Sequence, residues 1–187
     1  MSVDRTTELI QKSMSNNETG LVTTSYADDG VVRGSSFVFE KNFTIANSGT
    51  LYILVDYSTY APTSAQKGLV FVYPPDFGTT AGTVVVNVYR GTNYAGGTEF
   101  DAINPNTTAS KTTSGTTLTY RATGSKKGDV VLNYLVGSSS TNQNSGGGSN
   151  TGMQFFIRPN TDKTLVEIVN DSGEEITFHY GQGLFEI

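Results

Sequence analysis

The sequence contains no cysteine, which excludes a disulfide framework and any thiolate metal site. It contains one histidine, His179. A histidine acting as a general base needs an orienting partner and a nucleophile, and the linear sequence nominates neither. Positive charge is scarce as well: 12 Lys and Arg stand against 17 Asp and Glu, a formal net charge of -5. The densest basic spot, Lys126-Lys127, reads as a solvated loop tip. The footprint of a nucleic-acid binder is missing, so no direct nucleic-acid partner is expected. Long apolar runs are also lacking. Leu51 to Val55 is among the longest, far below the roughly 20 residues that span a bilayer, and no membrane partner is expected. Met1 to Gly20 is polar and carries Asp4 and Glu8, unlike a secretory signal.

Dedicated ligand loops are missing too. Asp28-Asp29 and Glu174-Glu175 are carboxylate pairs without the spaced oxygen pattern of a calcium loop. Gly146-Gly147-Gly148 lacks the lysine and helix of a phosphate loop. No catalytic, metal or cofactor-binding residue is therefore nominated, no cofactor is expected, and the chain reads as a non-enzyme.

What is present points to strands. Of 187 residues, 21 are Gly, 10 Tyr and 10 Phe, alongside many Thr and Val, as befits strands joined by tight turns. Phe37, Phe39, Phe43 and Ile45 share one parity, interrupted by Lys41, which suggests an edge position or a bulge. Leu51, Ile53, Val55 and Tyr57 form one face of the next strand. Tyr52 and Leu54 make its other face apolar, so it should sit centrally or pack against something outside the sheets. Further strands are expected at 69–73, 83–89, 116–121, 129–136, 153–157, 165–169 and 176–180, with 91–110 read as a polar, turn-rich stretch.

Nine short strands without intervening helices predict an all-β fold: an antiparallel β-sandwich, jelly-roll-like, since each apolar sheet face must be covered by the other sheet. A closed barrel shares this periodicity. The expected organisation is an N-terminal arm or short helix over 1–20, centred on Thr6 to Met14, and one sandwich domain over 21–187. An exposed Gly/Ser/Asn-rich loop interrupts that domain at 137–152. The Asn-x-Ser/Thr triplets at Asn17, Asn42, Asn106 and Asn170 read as turn and strand-edge chemistry. Tyr52, Tyr57, Tyr60, Tyr73, Tyr89 and Tyr94 could stack on a sugar, but scattered tyrosines more commonly serve as core or rim. Three apolar residues at the chain end, Leu184, Phe185 and Ile187, should pack against their own domain or a neighbouring subunit. With Leu9, Ile10 and Met14 they make up the expected interface.

The C-terminal third resembles a family of bacteriophage virion structural proteins. The likeness runs from Gly146-Gly147-Gly148 through Phe155-Phe156-Ile157-Arg158-Pro159-Asn160-Thr161 into Leu165-Val166-Glu167-Ile168-Val169-Asn170, then Ser172-Gly173 and a closing strand. Asn104-Pro105-Asn106-Thr107-Thr108 is similar to that family's mid-protein loop. The chain departs at Leu184-Phe185-Glu186-Ile187, where the family commonly finishes in Trp-Tyr-Glu, and at Arg158, where many members carry Lys. The resemblance implies a non-enzymatic component of a tailed-phage particle, a capsid decoration, head-associated or tail-associated protein. Such a protein would be made in the host bacterial cytoplasm and located in the virion, associating with itself as a trimer or higher ring and with capsid or another virion protein. A receptor- or carbohydrate-binding module of a phage tail or fibre is the alternative.

Overall fold

A computed structural model describes residues 36–59, 69–72, 75–106, 113–138, 156–159 and 162–186. The expected N-terminal arm or helix, with Leu9, Ile10 and Met14, lies outside these residues, as do most of the Gly/Ser/Asn-rich loop and Ile187.

The described chain is all-β, apart from one 3-10 turn at Tyr57–Thr59. Its strands are β1 (Ser36–Ile45), β2 (Thr50–Asp56), β3 (Leu69–Val72), β4 (Asp76–Thr79), β5 (Thr83–Arg90), β6 (Thr98–Glu99), β7 (Thr117–Tyr120), β8 (Asp129–Gly137), β9 (Phe156–Pro159), β10 (Lys163–Asn170) and β11 (Ile176–Glu186). One sheet runs β1-β11-β3-β9, with β4 also paired to β11, and the other runs β6-β7-β2-β10-β5-β8. Every pairing is antiparallel. The pairings are also nested: β1 meets β11, β2 meets β10, β3 meets β9 and β5 meets β8. The chain thus behaves as one long ribbon folded back on itself and wrapped across two sheets.

Alternation explains which side chains fill the space between the sheets. Phe37, Phe39, Phe43 and Ile45 of β1 meet Ile176, Phe178, Tyr180 and Leu184 of β11 across the gap from Ile53 and Val55 of β2, Val84, Val86 and Val88 of β5, and Val166 and Ile168 of β10. All of these are buried, as the period-2 reading expects. Lys41 sits on the inward parity of β1, and β1 is an edge strand. There the lysine escapes the core by laying its ammonium 5.3 Å from the Tyr120 ring centre. β2 lies inside its sheet, between β7 and β10.

The strands differ from the expected set in four places. β4 and β6 are additional; each is short and lacks an alternating apolar pattern. β9 runs to Pro159, so Arg158 and Pro159, expected in a turn, belong to the strand. β11 continues through Gly181-Gln182-Gly183 to Glu186, because β1 pairs with it over its whole length and supplies a ladder the glycines alone would not. The stretch 91–110 also holds Phe100, which is 6% exposed. Its ring lies 5.9 Å from Phe43, 6.1 Å from Phe39 and 6.4 Å from Tyr180, near edge-on to each. A lone aromatic in a polar segment has no period to reveal it.

Two connections carry the chain between the sheets at one end: 46–49 from β1 to β2, and 171–175 from β10 to β11. Asn170, fully buried, holds both. Its Nδ2 donates to the carbonyls of Ile45 (3.1 Å), Ala46 (2.9 Å) and Glu174 (2.8 Å), while its Oδ1 accepts from the Ser172 amide and hydroxyl. Its own amide donates to Gly49 O. The turn chemistry expected of this Asn-x-Ser triplet is therefore present.

Two outcomes follow. Asn170→Ala strands buried carbonyls and should cost about 2–4 kcal/mol, read as a lowered urea midpoint. Deleting 184–187 removes the end of the central strand β11, paired on both sides to β1 and β3. Far-UV circular dichroism should then show an unfolded or partly folded chain.

Candidate functional site: the outer face of the six-stranded sheet and strand β8

The face of the six-stranded sheet that points away from the core is not simply solvated. Tyr52 and Leu54 of β2, Leu165 of β10 and Tyr89 of β5 project there and pack with Tyr94 and Ala122 into a second small apolar cluster. These last two come from the loops 91–97 and 121–128, which fold over the sheet as a flap. The flap is pinned by paired backbone bonds between Ala95 and Thr123 (3.0 and 3.1 Å). Asn93 adds to it, accepting from the amides of Ser125 and Lys126 and donating to the Ser125 hydroxyl. Gly124 is needed for close approach, since a Cβ there would lie 2.5 Å from the Tyr94 ring. The expectation that β2 sits centrally or packs outside the sandwich is met on both counts.

Beside this cluster, four side chains form a polar row across four neighbouring strands. Tyr52, Glu167, Asn87 and Asn133 stand opposite one another in register. Tyr52 OH donates to Glu167 Oε1 (3.2 Å), Asn87 Nδ2 donates to Glu167 Oε2 (3.2 Å), and Asn133 Nδ2 donates to Asn87 Oδ1 (2.6 Å). Tyr89 OH adds a 2.6 Å bond to Oε2. Lys127, reaching back from the flap, places Nζ 2.5 Å from Oε1 and over the Tyr52 and Tyr89 rings. Of the Lys126-Lys127 pair, Lys126 is exposed, whereas Lys127 is half-buried and closes this ion pair.

Glu167 is 5% exposed. Burial alone would raise its carboxyl, but the hydrogen bonds from Lys127, Tyr89 and Asn87 outweigh it and hold the group below the usual carboxylate range. The hydrogen bond to Glu167 raises the Lys127 ammonium. Burial, the bond to Glu167 and its charge push the Tyr89 hydroxyl up to about 12. With its hydrogen bonds supplied from within, the cluster serves to fasten the flap to β10.

The β8 side of this sheet has a different character. β8 pairs with β5, and among the described residues no strand pairs with its other side. Leu135 is 68% exposed, Val130 57% and Val131 41%. The register slips between Val88 and Tyr89, a bulge that turns both valines toward water. Ile103, the other large exposed apolar residue described, bridges to Val38 at the edge of β1.

His179 lies on the outer face of the other sheet, pointing away from Phe178 and Tyr180 as expected. Its Nδ1 is 3.0 Å from Asn42 Oδ1, and Nε2 is 4.0 Å from Asp76 Oδ2. Among the described residues no group of three or more His, Asp or Glu is placed to hold a metal ion. Of the expected interface residues, Leu184 is fully buried and Phe185 is 7% exposed within their own sheet, so their side chains pack against their own domain. Glu186 beside them is 2% exposed and accepts from Ser114 Oγ and the amides of Gly115 and Thr116, anchoring the loop that enters β7. Sequence reasoning missed the Glu167–Lys127 pair, whose members are 40 residues apart, and the outward role of β8. The apolar content of both faces of β8 was its only signal.

The acid side of the stability profile tests the cluster. A depressed Glu167 contributes stability that is fully present above the ordinary value of 4.5 and lost as pH falls through its lower folded value. The raised Lys127 and Tyr89 act oppositely: their contributions are lost as pH rises above about 10. Glu167→Gln should lower the urea midpoint at pH 7 and shrink the drop between pH 5 and pH 3. An unchanged acid limb would contradict the assignment.

Comparison with known proteins adds little. No protein-family model matches the chain, and no curated protein matches it. A solved structure described as that of infectious bursal disease virus, Gx strain, aligns over 81% of this chain and 36% of its own, at 14% identity and a TM-score of 0.12. The chain thus spans about a third of that protein, and a likeness at this level carries no argument.

Proposed function

We propose that the chain is a non-enzymatic structural component of a tailed bacteriophage particle, a capsid decoration or head-associated protein that binds capsid or neighbouring subunits and is built as a jelly roll. The strand order carries this reading. With β4, β6 and β7 set aside as additions, the two sheets run β1-β11-β3-β9 and β2-β10-β5-β8. First pairs with last, second with second-last, and so inward, which is the winding of an eight-stranded jelly roll, an architecture used by viral capsid and lectin domains. This is an argument from fold-level analogy, and it joins an independent one. The stretch resembling phage virion proteins covers β9, β10 and β11, and includes Asn170, which clamps the two sheet crossings.

Local observations favour association over chemistry. The buried ionisable groups of the outer face hold a flap in place, and β8 offers exposed apolar side chains to a partner. The receptor- or carbohydrate-binding alternative shares the architecture. It is less favoured because Tyr57, Tyr89 and Tyr94 are buried and Tyr52 is half-buried against Tyr94, leaving no open tyrosine groove among the described residues.

Immunogold labelling of purified phage particles with an antibody to this chain is the test. Regular labelling of heads supports the reading. Particles that carry no label, with the protein left in the soluble lysate, overturn it.

A further inference from the structure

We propose that Lys41, Tyr120 and Arg121 form a binding site for a single carboxylate, carried by a free organic acid or by a sugar acid. The site lies at the side of the sandwich where the edge strand β1 faces the end of β7. It stands apart from the structural-component reading.

Two cations converge there on one ring. Lys41 comes from the five-stranded sheet, with its ammonium 5.3 Å from the Tyr120 ring centre. Arg121 follows β7 in the other sheet, with its guanidinium carbon 5.7 Å from the same centre. The ring is itself fixed from behind, 5.2 Å from Phe43 and 6.3 Å from Phe100. Its negative face attracts both cations, but the two like charges repel each other, and the contact leaves their N–H groups unused. An oxyanion placed between them relieves the repulsion and takes those donors.

Other cations of the described chain are paired. Arg90 meets Asp162, Lys127 meets Glu167 and Lys163 meets Asp56. The side chains of Lys41 and Arg121 make no ion pair or hydrogen bond with the described residues, although the chain carries 17 acids against 12 bases. Lys126 is unpaired too, but it is exposed on the flap, with no ring beneath it.

The backbone of Arg121 is an independent observation. Its φ is 60°, in the left-handed region where glycine costs least and a residue with a Cβ is strained. The surroundings impose this conformation from two sides. The Arg121 amide donates to Tyr52 O (2.8 Å), and Gly97 packs so closely that a Cβ there would lie 2.5 Å from Tyr120 O. Glycine would meet both demands without strain. Arginine instead projects a guanidinium onto the Tyr120 ring, and at an exposed position that contact alone is too weak to offset the conformational cost. Strain of this kind is characteristic of ligand clamps.

The donors select the ligand. A guanidinium fork beside an ammonium matches one planar carboxylate. The Tyr120 hydroxyl, which has no hydrogen-bond partner among the described residues, supplies a further donor. A polyanion is disfavoured, because two cations on a chain of net charge -5 make no extended positive surface.

Titration of the isotope-labelled full chain with sodium D-glucuronate at low salt, followed by two-dimensional NMR, is the test. The Arg121 side-chain N–H and the amides of Tyr120 and Arg121 should shift saturably in the millimolar range, and D-glucose should shift none of them. Sodium acetate separates the two sources: equal affinity assigns a free organic acid, and weaker affinity a sugar acid. Arg121→Gly should weaken binding at least about tenfold with an equal or higher urea midpoint, since glycine suits the left-handed backbone. Lys41→Gln should weaken it similarly, whereas Lys126→Gln should leave it unchanged. No saturable shift with either acid, binding of inorganic phosphate as tight as either acid, or equal losses at Lys126→Gln and Arg121→Gly each overturns the carboxylate site. None of these outcomes depends on whether the chain labels phage heads.

Discussion

The fold depends on one side chain that satisfies two crossings at once. A sandwich needs its chain to leave one sheet and enter the other, and each crossing exposes backbone groups that no ladder can use. At one end of this molecule the crossings from β1 to β2 and from β10 to β11 lie side by side, and Asn170 supplies donors and an acceptor to both. Because β10 and β11 are interior strands of different sheets, the turn between them joins the two layers. The nested pairing builds outward from that joint, β1 and β2 flanking it first.

The six-stranded sheet is also organised on the side turned away from its partner. A flap of two loops covers Leu54, Leu165 and Tyr89, and the Glu167–Lys127 pair with its tyrosines and Asn87 fastens it. Buried charges of this kind add little net stability against apolar replacements, but they penalise wrong arrangements heavily. In this domain the carboxylate sits where three strands and one loop must agree in register. Glu186 plays a similar part at the end of β11, tying that strand to the entrance of β7. The charged groups buried at these places hold loops against strands, and the large exposed apolar side chains among the described residues lie on β8 and at Ile103.

Much of the core was legible because it obeys a short-range rule. Phe37, Phe39, Phe43, Ile53, Val86, Val166, Ile168, Phe178 and Tyr180 all fall where a period of two puts them, and all are buried. The two-sided apolar character of Leu51–Val55 correctly marked an interior strand with something packed outside it. Phe100 and Tyr94 were illegible, since each is a solitary aromatic in a polar, turn-rich stretch and its burial depends on strands distant in sequence. Leu184 and Phe185 looked like material for either an interface or the core. The length of β11, set by β1 beside it, leaves both side chains buried, Leu184 within the main core.

The sequence by itself determined the class of fold, the absence of thiolate and disulfide chemistry, and the parity of nearly every strand. These are properties of neighbouring residues and of composition. Which strands pair and which face carries a second cluster were decided by the tertiary structure alone. Glu167 and Lys127 are ordinary charges until the flap closes, and β8 is one apolar strand among several until β5 takes one of its sides. Both outcomes are long-range. A period of two specifies which way a side chain points, but carries no information about what stands on the far side of the strand.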